Sequence, residues 1–266
     1  MSGPAEELEW ALLGAAPAGL RPRPLLLLGP PGSGRSALLF RAALAGAAAS
    51  PPARVLFLAP RPLERLPPGG AAATGVIQRI HFRYPPSFQE LLQLVASLHQ
   101  TLSGSPSLVM LDGLEEYLSG CPSPHMAAQL VALLLDTANH FSQKLSHMPA
   151  GCQLLVAMKC LGEAAEEAEH LSVIDRYFPA QLWLHPGVEE TAGSNSCGIT
   201  RLVRACLSQP GTKDQEWLLQ FDPQGDMRIS ALPYSREKEN GTASEKDGPP
   251  GIKAHIIVSD SQSGIS

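Results

Sequence analysis

The residues best suited to chemistry fall in one octamer, Gly29-Pro30-Pro31-Gly32-Ser33-Gly34-Arg35-Ser36. Its glycines stand where backbone N–H groups can turn inward onto phosphate oxygens, since a residue without a Cβ tolerates the positive φ that such a turn requires. A helix opening behind them adds the partial positive charge of its N-terminus. Ser36 is then placed to ligate Mg2+ through its hydroxyl, and Arg35 to reach a phosphate. The octamer fits Gly-x4-Gly-Lys-[Ser/Thr] at every fixed position but one, because Arg35 stands where the lysine belongs. A guanidinium is a planar fork, larger than the compact ammonium, so it crowds the terminal phosphate and the metal; binding survives that exchange better than hydrolysis. By itself the octamer would also suit a Gly/Pro turn between a strand and a helix. The four leucines before it, Leu25 to Leu28, and the Ala/Leu-rich segment after it favour the phosphate loop.

A second chemical candidate is Leu108-Val-Met-Leu111-Asp112, an apolar strand ending in a carboxylate that can hold Mg2+ through water. Glu115 and Glu116 follow closely. They could polarise a water molecule, or they form the exposed side of a helix start, where acidic residues favour the dipole.

These groups need a scaffold, and the apolar pattern supplies one. Short apolar runs recur at Leu25 to Leu28, Val55 to Ala59, Val76 to Phe82, Leu108 to Leu111 and Leu154 to Met158. Helix-like segments separate several of them: Ser36 to Ala49, Ser87 to Leu102 with Ser87 as N-cap and Glu90 completing a capping box, and His125 to Leu145. Strands alternating with helices predict an α/β fold, a mainly parallel sheet with helices on its faces. From Gln181 onward the pattern changes to Leu182 to His185, Thr200 to Leu207, Trp217 to Phe221 and Met227 to Ile229, with turn signals such as Asp222-Pro-Gln-Gly225. That reads as an antiparallel meander closing one sheet edge. Residues 1–23, ending in Arg-Pro-Arg-Pro, read as a flexible leader with a short helix-compatible run from Glu6 to Leu13; residues 24–232 form the core, and the Ser/Gly/Glu/Lys-rich residues 233–266 a disordered tail.

Composition bounds the partners. With a net charge of −5, no global positive field draws the chain onto nucleic acid, so such a contact needs a local basic patch or a partner. Five cysteines, odd in number and without a Cys-x-x-Cys pair, indicate neither a disulfide framework nor a cysteine zinc site. Glu6, Glu7 and Glu9 stand where a signal peptide carries positive charge, and no apolar run is long enough to span a bilayer, so a soluble intracellular protein without membrane contact is expected.

The order of phosphate loop, second strand, Asp112, Leu154 to Met158 and meander resembles the RecA-like P-loop NTPase core of recombinases. Within that group, four strings carry a narrower likeness: His81-Phe-Arg-Tyr-Pro-Pro-Ser87, Leu111-Asp-Gly-Leu-Glu-Glu-Tyr-Leu118, Ala132-Leu-Leu-Leu-Asp-Thr-Ala138 with His140-Phe-Ser142, and Arg176-Tyr-Phe-Pro-Ala-Gln181 with Trp183. They resemble the recombinase-paralogue ATPases that associate with the SWIM-type zinc-finger protein of the vertebrate Shu complex, over about residues 24–232. The resemblance implies a nuclear accessory factor of homologous recombination that binds ATP, Mg2+ and single-stranded DNA. It further implies single-stranded-DNA-stimulated ATPase activity, and partnership with the SWIM protein, with the recombinase and with its paralogues. On this reading Gly29 to Ser36 bind the nucleotide, Ser36 and Asp112 the metal, and Arg35 and Asp112 serve catalysis.

Departures from the recombinase pattern qualify that reading. The second strand runs Phe57-Leu-Ala-Pro-Arg61, placing an arginine near the expected catalytic glutamate, and Lys159 replaces the glutamine that senses the terminal phosphate. Together with Arg35 they leave open a hydrolysis-deficient scaffold that binds nucleotide and docks proteins. The segment after Lys159, where recombinases bind DNA, carries Glu163, Glu166, Glu167 and Glu169, which repel phosphate. Arg61, Arg65, Arg79, Arg83 and the pair Arg201 and Arg204 are the better candidates for DNA. Phe40-Arg-Ala-Ala43 matches the Phe-x-x-Ala form of recombinase self-association but lies inside the loop's helix, where Phe40 is expected in the core.

Overall fold

Leu25 to Leu28 set the architecture at its centre, because successive side chains of a strand point to opposite faces and all four are buried. Leu25 and Leu27 enter one hydrophobic core and Leu26 and Leu28 the other, so this strand has covered faces on both sides. The structure, a computed structural model, describes residues 3–13, 23–49, 54–63, 74–145, 151–160, 165–187, 190–191 and 199–232. The predicted tail lies outside them.

The elements in chain order are α1 (Pro4–Leu13), β1 (Leu25–Gly29), α2 (Arg35–Ala49), β2 (Val55–Leu58), α3 (Thr74–Ile77), β3 (Ile80–Arg83), α4 (Phe88–Thr101), β4 (Leu108–Leu111), α5 (Leu114–Leu118), α6 (Pro124–Lys144), β5 (Gln153–Lys159), α7 (Ala165–Ile174), β6 (Ala180–Pro186), β7 (Glu190–Thr191), β8 (Ile199–Ser208), β9 (Gln215–Phe221) and β10 (Met227–Ala231). The sheet order is β10-β9-β8-β6-β1-β5-β4-β2-β3, with β7 pairing on β8. From β3 to β6 every pairing is parallel; β6 then meets β8 antiparallel, and β9 and β10 continue the meander. The expected α/β core with its antiparallel edge is therefore present. Helices α1 and α2 bury their apolar sides in the core that takes Leu25 and Leu27, while α4, α5 and α6 fill the other.

Local signals explain most boundaries. Ser87 caps α4, its hydroxyl accepting from the Glu90 N–H at 3.2 Å, but Glu90 turns its carboxylate to that hydroxyl at 3.5 Å, so the reciprocal half of the expected capping box does not reach the backbone. Pro124 opens α6 one residue earlier than the pattern predicts, behind the Ser123 cap. The run Val76 to Phe82 is not one strand. It divides into α3 and β3 at a turn in which the Arg79 N–H donates to the Val76 carbonyl at 3.0 Å, and Arg79 is held by the Ala47 carbonyl at 3.1 Å.

The leader needs correction. Residues 4–13 form a helix rather than a flexible lead, because Leu8, Ala11 and Leu12 make an i, i+3, i+4 apolar stripe that docks on the core, with Leu8 and Leu12 buried. Glu9 reinforces it through Arg41 of α2 at 2.8 Å.

Candidate phosphate and metal site

The octamer occupies the turn from β1 into α2, at the end of the sheet where β1, β4 and β5 all finish. Gly29 is buried, and a Cβ there would stand 2.7 Å from Ser33 Oγ and 3.0 Å from the Leu184 carbonyl oxygen. Gly32 and Gly34 adopt φ of 73° and 87°, which L side chains rarely take. Between them the Ser33 N–H donates to the Pro30 carbonyl at 3.2 Å, which tightens the turn, and the Leu38 N–H donates to Gly34 at 2.9 Å as α2 begins. Pro31 is exposed on the rim. Two polar atoms in this cradle are buried without a hydrogen-bond partner: Ser33 Oγ and Arg35 Nη1. Buried polar groups left unpaired are costly, so a cradle with two of them is shaped for an acceptor-rich guest such as a phosphate.

Asp112 follows β4, its N–H donating to the Leu58 carbonyl at 2.9 Å. Burial pushes its carboxyl pKa up; the hydrogen bond from Ser36 and the charge of Arg35 pull it down, and the neighbouring charge of Glu115 pushes it up again. The structure thus brings Arg35, Ser36 and Asp112 together. A carboxylate beside a hydroxyl is a hard-oxygen pair that suits Mg2+, which characteristically takes one or two protein oxygens and completes its shell with water and phosphate. No cluster of three or more His, Cys, Asp or Glu that could hold a metal occurs among the described residues. Ser36 and Asp112 are the residues that would hold the ion, whose chemistry there would be to neutralise phosphate charge.

The two glutamates divide. Glu116 is an exposed helix-start residue and pairs with Arg61, the arginine standing near the expected catalytic acid. Glu115 instead turns into the site. It lies 3.6 Å from Arg35 Nη2 and accepts the Lys159 N–H at 2.8 Å. Sequence reading could not choose between these adjacent acids. Gly113, with φ of 73°, opens the turn that carries both acids, so no local signal separates them.

No family model matches the chain. It is 44% identical over 234 residues to the human protein named ATPase SWSAP1, an alignment covering 85% of this chain and 97% of that protein. The mouse protein of the same name is 42% identical over 243 residues, covering 91% of this chain and 84% of the relative. The chain belongs to the SWSAP1 ATPase family. These relatives support an ATPase of the SWSAP1 type.

The arginines offered for DNA separate. Arg201, on β8, turns to the loop: it donates to the Gly32 carbonyl, and its guanidinium lies 4.5 Å from the centre of the Phe221 ring. In this SWSAP1-family chain it is a loop residue, not one of a surface pair with Arg204, because β8 places Val203 in the core and leaves Arg204 exposed one step further. Arg83 is exposed, and Arg65 lies outside the described residues. So does Glu163, while Glu169 is exposed on α7. Phe40 is buried and stacks on Phe82 with ring centres 6.4 Å apart, as the core reading of Phe-x-x-Ala expects. No described helix is long and apolar enough to cross a membrane.

Proposed function

We propose that this chain is a nuclear accessory factor of homologous recombination. It binds ATP with Mg2+ and single-stranded DNA, its ATPase activity is stimulated by that DNA, and it acts with a SWIM-type zinc-finger partner to support recombinase filaments. The observation that carries the reading is a phosphate cradle with unpaired buried donors, facing Asp112, in a chain 44% identical to human ATPase SWSAP1. Phosphate release measured with and without single-stranded DNA tests it. Turnover above that of an Asp112→Asn control, rising when DNA is added, is the expected result; no turnover above that control rejects catalysis.

Support for the DNA element comes from β6 and β8. Arg204 is exposed directly opposite the exposed His185, whose ring stacks on Trp183 at 6.2 Å, and a cation beside an aromatic pair suits a strand with unpaired bases. Arg204→Glu is expected to weaken single-stranded DNA binding about 3–10-fold and to flatten its salt dependence. Unchanged affinity would remove the meander from the DNA surface.

A hydrolysis-deficient docking scaffold is the second reading. Arg35 in the loop and the Arg61–Glu116 pair near the expected catalytic acid favour it. If loss of nucleotide binding also abolished partner binding, docking alone would fail as an account.

A further inference from the structure

Arginine at the lysine position of a phosphate loop poses a geometric problem. The guanidinium is longer than an ammonium and presents two separate N–H edges, so without restraint it sweeps the space where the terminal phosphate and metal belong. Here one edge is held and the other is free. Arg35 Nη2 lies 3.6 Å from Glu115 Oε1, while Nη1 is buried with no partner. The second oxygen of Glu115 is committed too, accepting the Lys159 backbone N–H at 2.8 Å where β5 ends.

Glu115 is itself rigidly mounted. It sits between Leu114 and Tyr117, both buried, and the Tyr117 hydroxyl donates to the Pro85 carbonyl at 2.9 Å, so α5 is fixed from below. Arg35 and Glu115 are 13% and 20% exposed, which shields their pairing from the solvent screening that empties surface ion pairs of value.

We propose that Glu115 is the positioning residue for Arg35: a carboxylate strut, footed on the end of β5, that grips one edge of the guanidinium and aims the other at the terminal phosphate of a bound nucleoside triphosphate. The proposal rests on the nucleotide-binding reading above. It explains how an arginine works in this loop, since an ammonium has no second edge to offer. With both oxygens engaged, Glu115 acts through Arg35 rather than on the reacting atoms.

Glutamine at this position keeps an acceptor for the Lys159 N–H and loses only the charge that holds Arg35. The test measures equilibrium binding of fluorescent ATP and ADP analogues to the full chain with its natural residues, to Glu115→Gln, to Arg35→Ala and to the double variant, with thermal unfolding of each. Glu115→Gln is expected to weaken ATP-analogue binding about 5–10-fold and ADP-analogue binding less than about 2-fold, and to have little further effect once Arg35 is alanine. A merely structural glutamate would lower thermal stability and both affinities alike. Equal losses for the two analogues, or the same Glu115→Gln effect with and without Arg35, overturns the strut. If the chain with its natural residues binds neither analogue, the nucleotide reading itself falls and takes the strut with it; if it binds ATP and the two substitutions simply add, only the strut falls.

Discussion

Gly34→Ala is expected to abolish nucleotide-analogue binding and to lower the melting temperature by about 5–15 °C. Two costs add at this position. The residue sits at φ 87°, where a Cβ costs about 1–2 kcal/mol. That Cβ would also stand 2.3 Å from the Phe221 ring, and forcing an atom into a packed site costs a further 1–3 kcal/mol or so. Gly211→Ala separates the two, since Gly211 has φ 82° and nothing within 4 Å of its hypothetical Cβ. Differential scanning fluorimetry should show a fall at least twice as large for Gly34. Equal falls would mean that Phe221 yields freely and does not constrain the loop.

Asp112→Asn is expected to move activity and stability in opposite directions. Its carboxyl is pushed up because burial penalises the ionised form more than Ser36 and Arg35 reward it. The folded pKa therefore lies above the unfolded one. Near neutral pH the charge opposes folding, and a neutral isostere removes that opposition. The melting temperature should rise by about 1–3 °C. Without an anionic ligand for Mg2+, phosphate release should fall about 100-fold or more. A lowered melting temperature would show that the Ser36 and Arg35 contacts outweigh desolvation, and undiminished turnover would remove Asp112 from the metal site.

What was legible beforehand was what the chain encodes locally. The strand, glycine turn and helix of residues 25–49, the strand ending in Asp112 and the switch from alternating strands and helices to a meander are each written in contiguous residues, and each has its counterpart in the fold. Glu115 was not legible, because its role depends on the pairing that brings the end of β5 to the start of α5, and neighbouring Glu116 has the same local chemistry and the opposite fate. Arg201 was misplaced for the same reason. Its partners, Gly32 and Phe221, are remote in sequence and meet it only through the register that sets Arg201 opposite Phe221 across β8 and β9. The α1 helix was underestimated because a ten-residue segment has little helical stability of its own, and the packing of Leu8 and Leu12 supplies it.

The seat of Phe221 on Gly34 has a consequence for synthesis. The loop leaves the ribosome early, yet its ceiling is made of residues that emerge almost two hundred positions later. β1 likewise waits for both flanking strands, β5 and β6. Contacts of such long sequence separation form slowly. A nascent chain halted within the parallel strands would therefore carry the glycine turn without the ring that packs over it, so a prematurely terminated product ending before residue 221 would have an unfinished loop rather than a shorter copy of the same one.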